Sequence, residues 1–563
     1  MSLKHIGQYC VVYHILKVIT HLILRNLKKW ESYIMKSTQH SGRIIGQMFL
    51  IGFFIVLLNS LNSVYATHLR FLRLEYEPGV NKKEIHFKVP AAFRRNGFGG
   101  THPDGHPQTG DVITETIGGT GLNFGDGSYT GTLDFLVTSF DVDNNWIFCE
   151  ALDPADPHNT FIPHTYTNCG NVSPFIQDCC RISGFVSPNR HINNPNGLYR
   201  AETVVDVCSG DSSPIVTLPP IVTCKPNAVC NFTVNALDPD GDPINWLLST
   251  SHEASGGSSF TQPGPPDAPN AASIDPLTGI YTWDTTGATL AGNPLNNTLY
   301  STQVTVEHKK SGDVKSKTPV DFFIQIGKCN PGTDQPPVFD PPPASRFPCG
   351  TTRFIEVGQT LVFDIQASDP DDASVDMITL NVVDLPVGAS MNPPLPHGPQ
   401  ASPVKSTFSW TATRKDSGAH AMTFSVIDDC GNQDLCNMTI KVVTILNSCL
   451  AGVPDKSTYH YDDTPVPDGP AGTFSFDADF CNICTTTFSE LKSITTELMR
   501  NNVLSNRNPG KLKRVGSELT FLKTGDYADG ELSPGECVRV HYVIGLTKDK
   551  WFRFFCDVVG VEK

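Results

Sequence analysis

The chain has 563 residues, with 42 Lys and Arg against 57 Asp and Glu, for a net charge of −15 at pH 7. That acidity argues against nucleic acid as a partner and allows cations or basic surfaces. With 43 prolines and 46 glycines, and no long amphipathic helical pattern beyond the leader, the composition favours tandem all-β sandwich domains.

In residues 1–34, Val12, Ile15, Leu16, Ile19, Leu22 and Ile23 recur at helical spacing among Lys17, Arg25, Lys28 and Lys29. This stretch reads as a leader extension outside the mature protein, or alternatively as a membrane-surface helix. Residues 35–66 read as a signal peptide: Lys36 and Arg43 precede the apolar run 48–58, and small residues lead to a cleavage position after Ala66. The apolar run is shorter than the ~20 residues of a spanning helix. The alternative keeps residues 44–61, interrupted by Gln47 and Asn59, as the signal-anchor of a single-pass type II membrane protein. Both readings place the bulk of the chain outside the cytosol. Residues 1–66 hold seven of the basic and one of the acidic residues, so the remainder carries a net charge of −21. Sixteen of the 17 cysteines follow Ala66, an even number that fits an oxidising compartment.

The first domain, residues 67–213, opens with alternating strands around Leu69-Arg70-Phe71-Leu72 and Ile85-His86-Phe87-Lys88. It carries the turn Phe124-Gly125-Asp126-Gly127 and, later, His164-Thr165-Tyr166. This pair of signatures resembles the polycystic-kidney-disease (PKD) module, an Ig-like sandwich, although the tryptophan usual before the turn is absent. The second domain spans residues 214–328 and the third 336–446, with a proline-rich linker at 329–343 expected to be semi-extended. Each contains an aspartate turn followed by a tryptophan strand. The pairs are Asp238-Pro239-Asp240-Gly241-Asp242 with Tyr281-Thr282-Trp283, and Asp369-Pro370-Asp371-Asp372 with Phe408-Ser409-Trp410. The recurrence marks a duplicated unit. Both copies resemble the cadherin-like and Ig-like modules of cell-surface proteins, and the two tryptophans are expected in the cores. The fourth domain, residues 449–563, reads as another sandwich, with 486–498 as a candidate helix.

Local spacing suggests disulfides between Cys224 and Cys230, between Cys430 and either Cys436 or Cys349, between Cys481 and Cys484, and between Cys537 and Cys556. Adjacent Cys179 and Cys180 are expected to bridge to different partners. Asn171, Asn231, Asn296 and Asn437 begin glycosylation sequons.

Asp238, Asp240 and Asp242 alternate around Gly241, a pattern that could direct hard oxygen ligands at calcium. Asp369, Asp371 and Asp372 form the corresponding but less regular loop. The rival reading is a solvated turn in which aspartate caps its own backbone. Cys208-Ser209-Gly210-Asp211-Ser212-Ser213-Pro214 is similar to the Gly-Asp-Ser-Gly-Gly-Pro of trypsin-like proteases but lacks both following glycines and an upstream histidine element. The sequence therefore points to a secreted, non-enzymatic extracellular matrix or adhesion protein. Its expected partners are extracellular protein, carbohydrate or a matrix surface, with no nucleic acid and with a membrane only if the N-terminal anchor is retained. Alternatives are an acidic component of a mineralised matrix with mineral as a partner, a secreted hydrolase with accessory sandwiches, and a membrane-tethered receptor.

Overall fold

The strand Trp146–Ala151 is buried at every position, a pattern that requires a sheet covered on both faces. The computed structural model explains this burial. It describes residues 69–562 except 80, 185–189, 241, 292–297, 311, 328–334, 343–348, 372–376 and 451. The predicted leader and signal peptide, Asn296, Gly241, Asp372 and much of the proline-rich linker lie outside the described residues.

Trp146–Ala151 sits in a sheet of twelve described strands that crosses the expected boundary between the first two domains. Leu69–Arg73 pairs with Pro90–Arg94 on one side and with Asp313–Ile326, from the second domain, on the other. Because side chains alternate along a strand, this shared sheet feeds two cores. Leu72, Ala91, Phe93, Ile147 and Cys149 point into the core of the first domain. Phe71, Ala92, Trp146 and Phe148 point into the second, against Trp283, Tyr300 and Phe322. Residues 67–213 and 214–328 are thus two halves joined through one central layer.

The second and third domains repeat one architecture. In each, a strand runs parallel to the last long strand: Ile221–Cys224 beside Asp313–Ile326, and Thr351–Glu356 beside Gln433–Ile445. In each, the tryptophan strand pairs antiparallel with an earlier strand and places a stacked ring pair in register. Phe232 lies on Tyr281 at 4.9 Å, and Phe363 on Phe408 at 4.6 Å, both at 18°. Trp283 and Trp410 are 0% and 2% exposed. Their indole N–H groups donate to the carbonyls of Asn270 and Val387, so the polar edge of each buried ring is satisfied.

The third and fourth domains also share a sheet, of nine described strands. The end of Gln433–Ile445 pairs with Phe554–Glu562, aligning Thr444 with Gly560 and Ile445 with Val559. The fourth domain closes over its own core of Phe476, Phe480, Leu491, Phe521, Tyr542 and Ile544.

One expectation is corrected here. The candidate helix at 486–498 is the strand Phe488–Leu498, paired with Phe554–Glu562 and Glu518–Thr520. Ile494, Thr495 and Thr496 disfavour a helix through their restricted χ1, and two waiting sheet partners complete the choice. The described α-helix is instead Ser251–Ser255, set by a reciprocal capping box between Thr250 and Glu253 and ended by Gly256 in the left-handed conformation. The domains are also joined to one another. Residues Thr67–Lys563 form one compact unit, joined by the shared sheets and by polar contacts across the remaining seams.

Candidate functional site

Asp238, Asp240 and Asp242 lie where the first, second and fourth domains meet. Asp238 is 8% exposed, and its Oδ1 accepts the amides of Asp240 at 2.9 Å and Asp242 at 3.1 Å. Asp240 Oδ2 accepts the amide of Ser212 at 2.7 Å, from the end of the first domain. Asp242 Oδ2 lies 3.7 Å from His308 Nδ1. From the fourth domain, Lys523 Nζ donates to the Asp240 carbonyl at 3.3 Å. Burial, and then the neighbouring Asp240 carboxylate, push Asp238 up to about 7. Burial followed by Asp240 and Asp242 raises Asp211, which joins the same negative cluster.

Asp369 repeats this local geometry in the third domain. Its Oδ1 accepts the amide of Asp371 at 2.9 Å, its own amide donates to Ser402 Oγ, and Asp371 Oδ2 accepts the amide of Gln335 at 2.6 Å. The duplicated motif thus builds the same backbone-capping turn twice. These carboxylates are engaged by N–H groups, whereas calcium takes six to eight oxygens. Among the described residues no group of three or more His, Cys, Asp or Glu is placed to hold a metal ion. In this arrangement Asp238 Oδ1 and Asp240 Oδ2 accept backbone amides.

The two PKD-like signatures meet in space. His164 stacks on Phe124 with ring centroids 3.9 Å apart, His164 Nε2 lies 2.8 Å from Asp126 Oδ2, and the Tyr166 hydroxyl donates to the Phe124 carbonyl at 2.8 Å. Burial raises Asp126, but hydrogen bonds from the Ser128 hydroxyl and amide and from His164 prevail and hold it at about 2. The cluster locks the turn to the strand beneath it.

The protease-like segment is structural in its contacts. Ser213 is buried; its Oγ accepts the Tyr76 amide and donates to the Tyr76 carbonyl. Asp211 takes part in the negative cluster described above.

Cys224 bonds to Cys230; Cys430 is corrected, pairing with neither Cys436 nor Cys349, since those two bond to each other and Cys430 belongs to another disulfide. Two proposed pairings in the fourth domain are corrected. Cys481 bonds to Cys537, its directly opposite partner in the antiparallel register, and Cys484 bonds to Cys449. Cys556 is a free thiol, because its strand Phe554–Glu562 belongs to the other sheet of that domain. Cys179 and Cys180 are bonded to each other and not to separate partners. Cys169 with Cys208 is a further bridge, which local spacing did not suggest.

Asn171 and Asn231 are exposed on the strands Gly170–Val172 and Val229–Thr233. Asn437 is half-buried, and its Oδ1 accepts the Thr423 hydroxyl. Asn231 and Asn437 line opposite walls of a cleft of about 220 Å³ between the second and third domains, with Phe232, Thr233 and Gln433.

A buried ionic cluster escaped sequence reading altogether. Arg73, 1% exposed, donates two hydrogen bonds to Asp384 of the third domain at 3.0 and 2.9 Å and contacts Glu75 at 2.8 Å. Glu75 in turn accepts the Val216 amide of the second domain. Two opposed charges 311 positions apart leave no local pattern. The one available clue was that Arg73 and Glu75 stand on either side of Leu74 in an otherwise apolar stretch, at the end of Leu69–Arg73 and the start of Glu75–Pro78.

Comparison with known proteins connects the first domain to a family. Residues 70–208 match the family described as "Integrin beta-like protein A-E, N-terminal". Integrin beta-like protein A of Dictyostelium discoideum is 23% identical over 383 residues, covering 61% of this chain and 18% of that protein. Integrin beta-like protein B of the same organism is 25% identical over 288 residues, covering 50% and 13%. The chain therefore spans less than a fifth of the length of these relatives. Among solved structures, tandem Ig repeats of Dlar match at 13% identity, covering 41% of this chain and 98% of that one, with a TM-score of 0.17. The chain is a multi-domain, all-β protein, and residues 70–208 carry its match to the N-terminal family of integrin beta-like proteins A–E.

Proposed function

We propose that this chain is a secreted, non-enzymatic adhesion protein that presents surface loops of a disulfide-stapled β body to extracellular protein or carbohydrate. The observation that carries the reading is the match of residues 70–208 to the integrin beta-like N-terminal family. Support comes from the bridges Cys169–Cys208, Cys349–Cys436 and Cys481–Cys537, since such bonds persist in oxidising compartments. The buried seams between domains suit a protein under load, because pulling on one domain engages the others. The test is attachment: surfaces coated with the full secreted chain should retain cells of the organism that makes it above an albumin-coated control. Retention no greater than the control, with the protein folded on the surface, would overturn the proposal.

A further inference from the structure

The fourth domain carries a charge pattern opposite to the rest of the chain. Residues 499–515 and 547–553 contain Arg500, Arg507, Lys511, Lys513, Arg514, Lys548, Lys550 and Arg553, with Asp549 as their one acid, in a protein whose net charge is −15. The two segments form one face. Asn501 joins them: its side-chain oxygen accepts Arg514 Nη1 at 3.1 Å, and its carbonyl accepts the Thr547 hydroxyl at 2.9 Å. Arg500 Nε donates to the Trp551 carbonyl at 2.7 Å, and its guanidinium lies 5.0 Å from the Trp551 ring centroid. Residues 511–515 and 547–551 are exposed without interruption.

Part of this charge is offset locally. Arg507 and Lys513 pair with Asp468, Lys511 with Glu518, and Arg553 with Glu497. Arg500, Arg514, Lys548 and Lys550 have no carboxylate partner among the described salt bridges; Arg500 lies over the ring of Trp551, which is 69% exposed, and Lys548 and Lys550 precede it closely in the chain. The exposed ring thus lies beside one guanidinium and within three chain positions of two further cations. The backbone is held firmly: the Leu504 amide bonds the Lys513 carbonyl, Ser517 bonds Arg514 and Gly516 bonds Thr495. The face is thus a preorganised platform and not a loose tail.

We propose that this face binds an acidic polysaccharide, with the guanidinium and ammonium groups taking its sulfate or carboxylate groups and the free side of the Trp551 ring packing on a sugar ring. Planar guanidinium groups engage such oxyanions in paired hydrogen bonds, and an indole presents a flat apolar body with a polar edge to an amphipathic ring. The rigid backbone favours a polymer lying on the face over a lipid bilayer that the loops would have to penetrate. The proposal depends on the adhesion reading only for where such a polymer would be met, because it concerns a surface outside the family-matched domain.

The test uses the full secreted chain on immobilised heparin, as a sulfated polysaccharide, and separately with vesicles containing phosphatidylserine. The wild type should be retained by heparin despite its negative net charge and released by salt. Arg514→Glu with Lys548→Glu and Lys550→Glu should weaken binding about tenfold or more, as expected when a local field is reversed. Trp551→Ala should weaken it while leaving the salt dependence unchanged. The reversal Lys82→Glu, Lys310→Glu and Lys415→Glu, exposed positions in the other three domains, should leave binding intact. Absence of retention, equal loss in the two triple variants, or pelleting with vesicles but no retention on heparin would overturn the proposal. Heparin binding without cell attachment would leave this inference standing and remove the adhesion proposal; the converse would do the opposite.

Discussion

Asp238→Asn isolates the electrostatic cost of the junction turn. The carboxyl is 8% exposed and is raised to about 7, against about 3.9 for an unfolded aspartate. Because the folded pKa lies above the unfolded one, the native state retains a proton that the unfolded chain has already released. Stability contributed by this group is therefore complete below pH about 4, falls as the pH rises to about 7, and is flat above. A shift of about three units sets a ceiling of about 4 kcal/mol on that loss. Asparagine keeps the Oδ1 acceptor that the Asp240 and Asp242 amides use and cannot ionise. Wild type and variant should have similar stability near pH 4, and the variant should be more stable at pH 8 by up to about 4 kcal/mol. Guanidinium unfolding followed by tryptophan fluorescence at pH 4, 6 and 8, in a chelator, reads both values. Parallel pH profiles, or a variant less stable than wild type at pH 8, would refute the reasoning.

Three further outcomes follow from the same contacts. Asp384→Ala removes both Asp384 hydrogen bonds from the buried Arg73 guanidinium and leaves it with Glu75; this should cost about 3 kcal/mol, seen as an earlier thermal transition, whereas a charge-neutral change on the surface should cost little. Replacing both Cys349 and Cys436 by alanine removes a bridge that spans 87 positions and should lower stability by about 2–4 kcal/mol in the same assay. Millimolar calcium should leave the transition unmoved at pH 8 if the turn is held by its own amides, which take Asp238 Oδ1 and Asp240 Oδ2; a clear rise would support calcium at Asp238, Asp240 and Asp242.

What could be read from sequence was the part of the fold encoded locally. The recurrence of an aspartate turn and a tryptophan strand predicted two copies of one unit, and the stacked pairs Phe232 with Tyr281 and Phe363 with Phe408 realise it in the same register. Cys224 and Cys230 lie close enough in the chain for spacing to suggest their bond. Cys481 and Cys537 do not, since only the pairing of Thr473–Cys481 with Cys537–Gly545 sets them opposite one another. The segment 486–498 misled because Leu491, Ile494 and Leu498 mimic helical spacing, while the partners that select a strand lie far along the chain. The fusion of the first two domains left a faint trace: Trp146-Ile147-Phe148-Cys149 and Val320-Asp321-Phe322-Phe323-Ile324 lack the polar alternation of a half-solvated strand. The ionic cluster left only the charges of Arg73 and Glu75 beside Leu74, because Asp384 lies 311 positions away.

The shared layer decides how function in this protein can be dissected. In a chain of independent sandwiches, deleting one domain leaves the others folded, and truncation maps the active part. Here, removing residues 214–328 would strip the cover from Phe71, Ala92, Trp146 and Phe148 and leave Leu69–Arg73 without Asp313–Ile326 at its side. An exposed apolar face beside an unpaired edge promotes aggregation. Removing the third domain would leave Arg73 buried without Asp384. Loss of adhesion in either truncation would then report misfolding and not a missing ligand surface. The exposed positions offer a cleaner route: Lys548, Lys550 and Trp551 touch neither core cluster nor seam, so a change in binding at those residues can be assigned to the face itself.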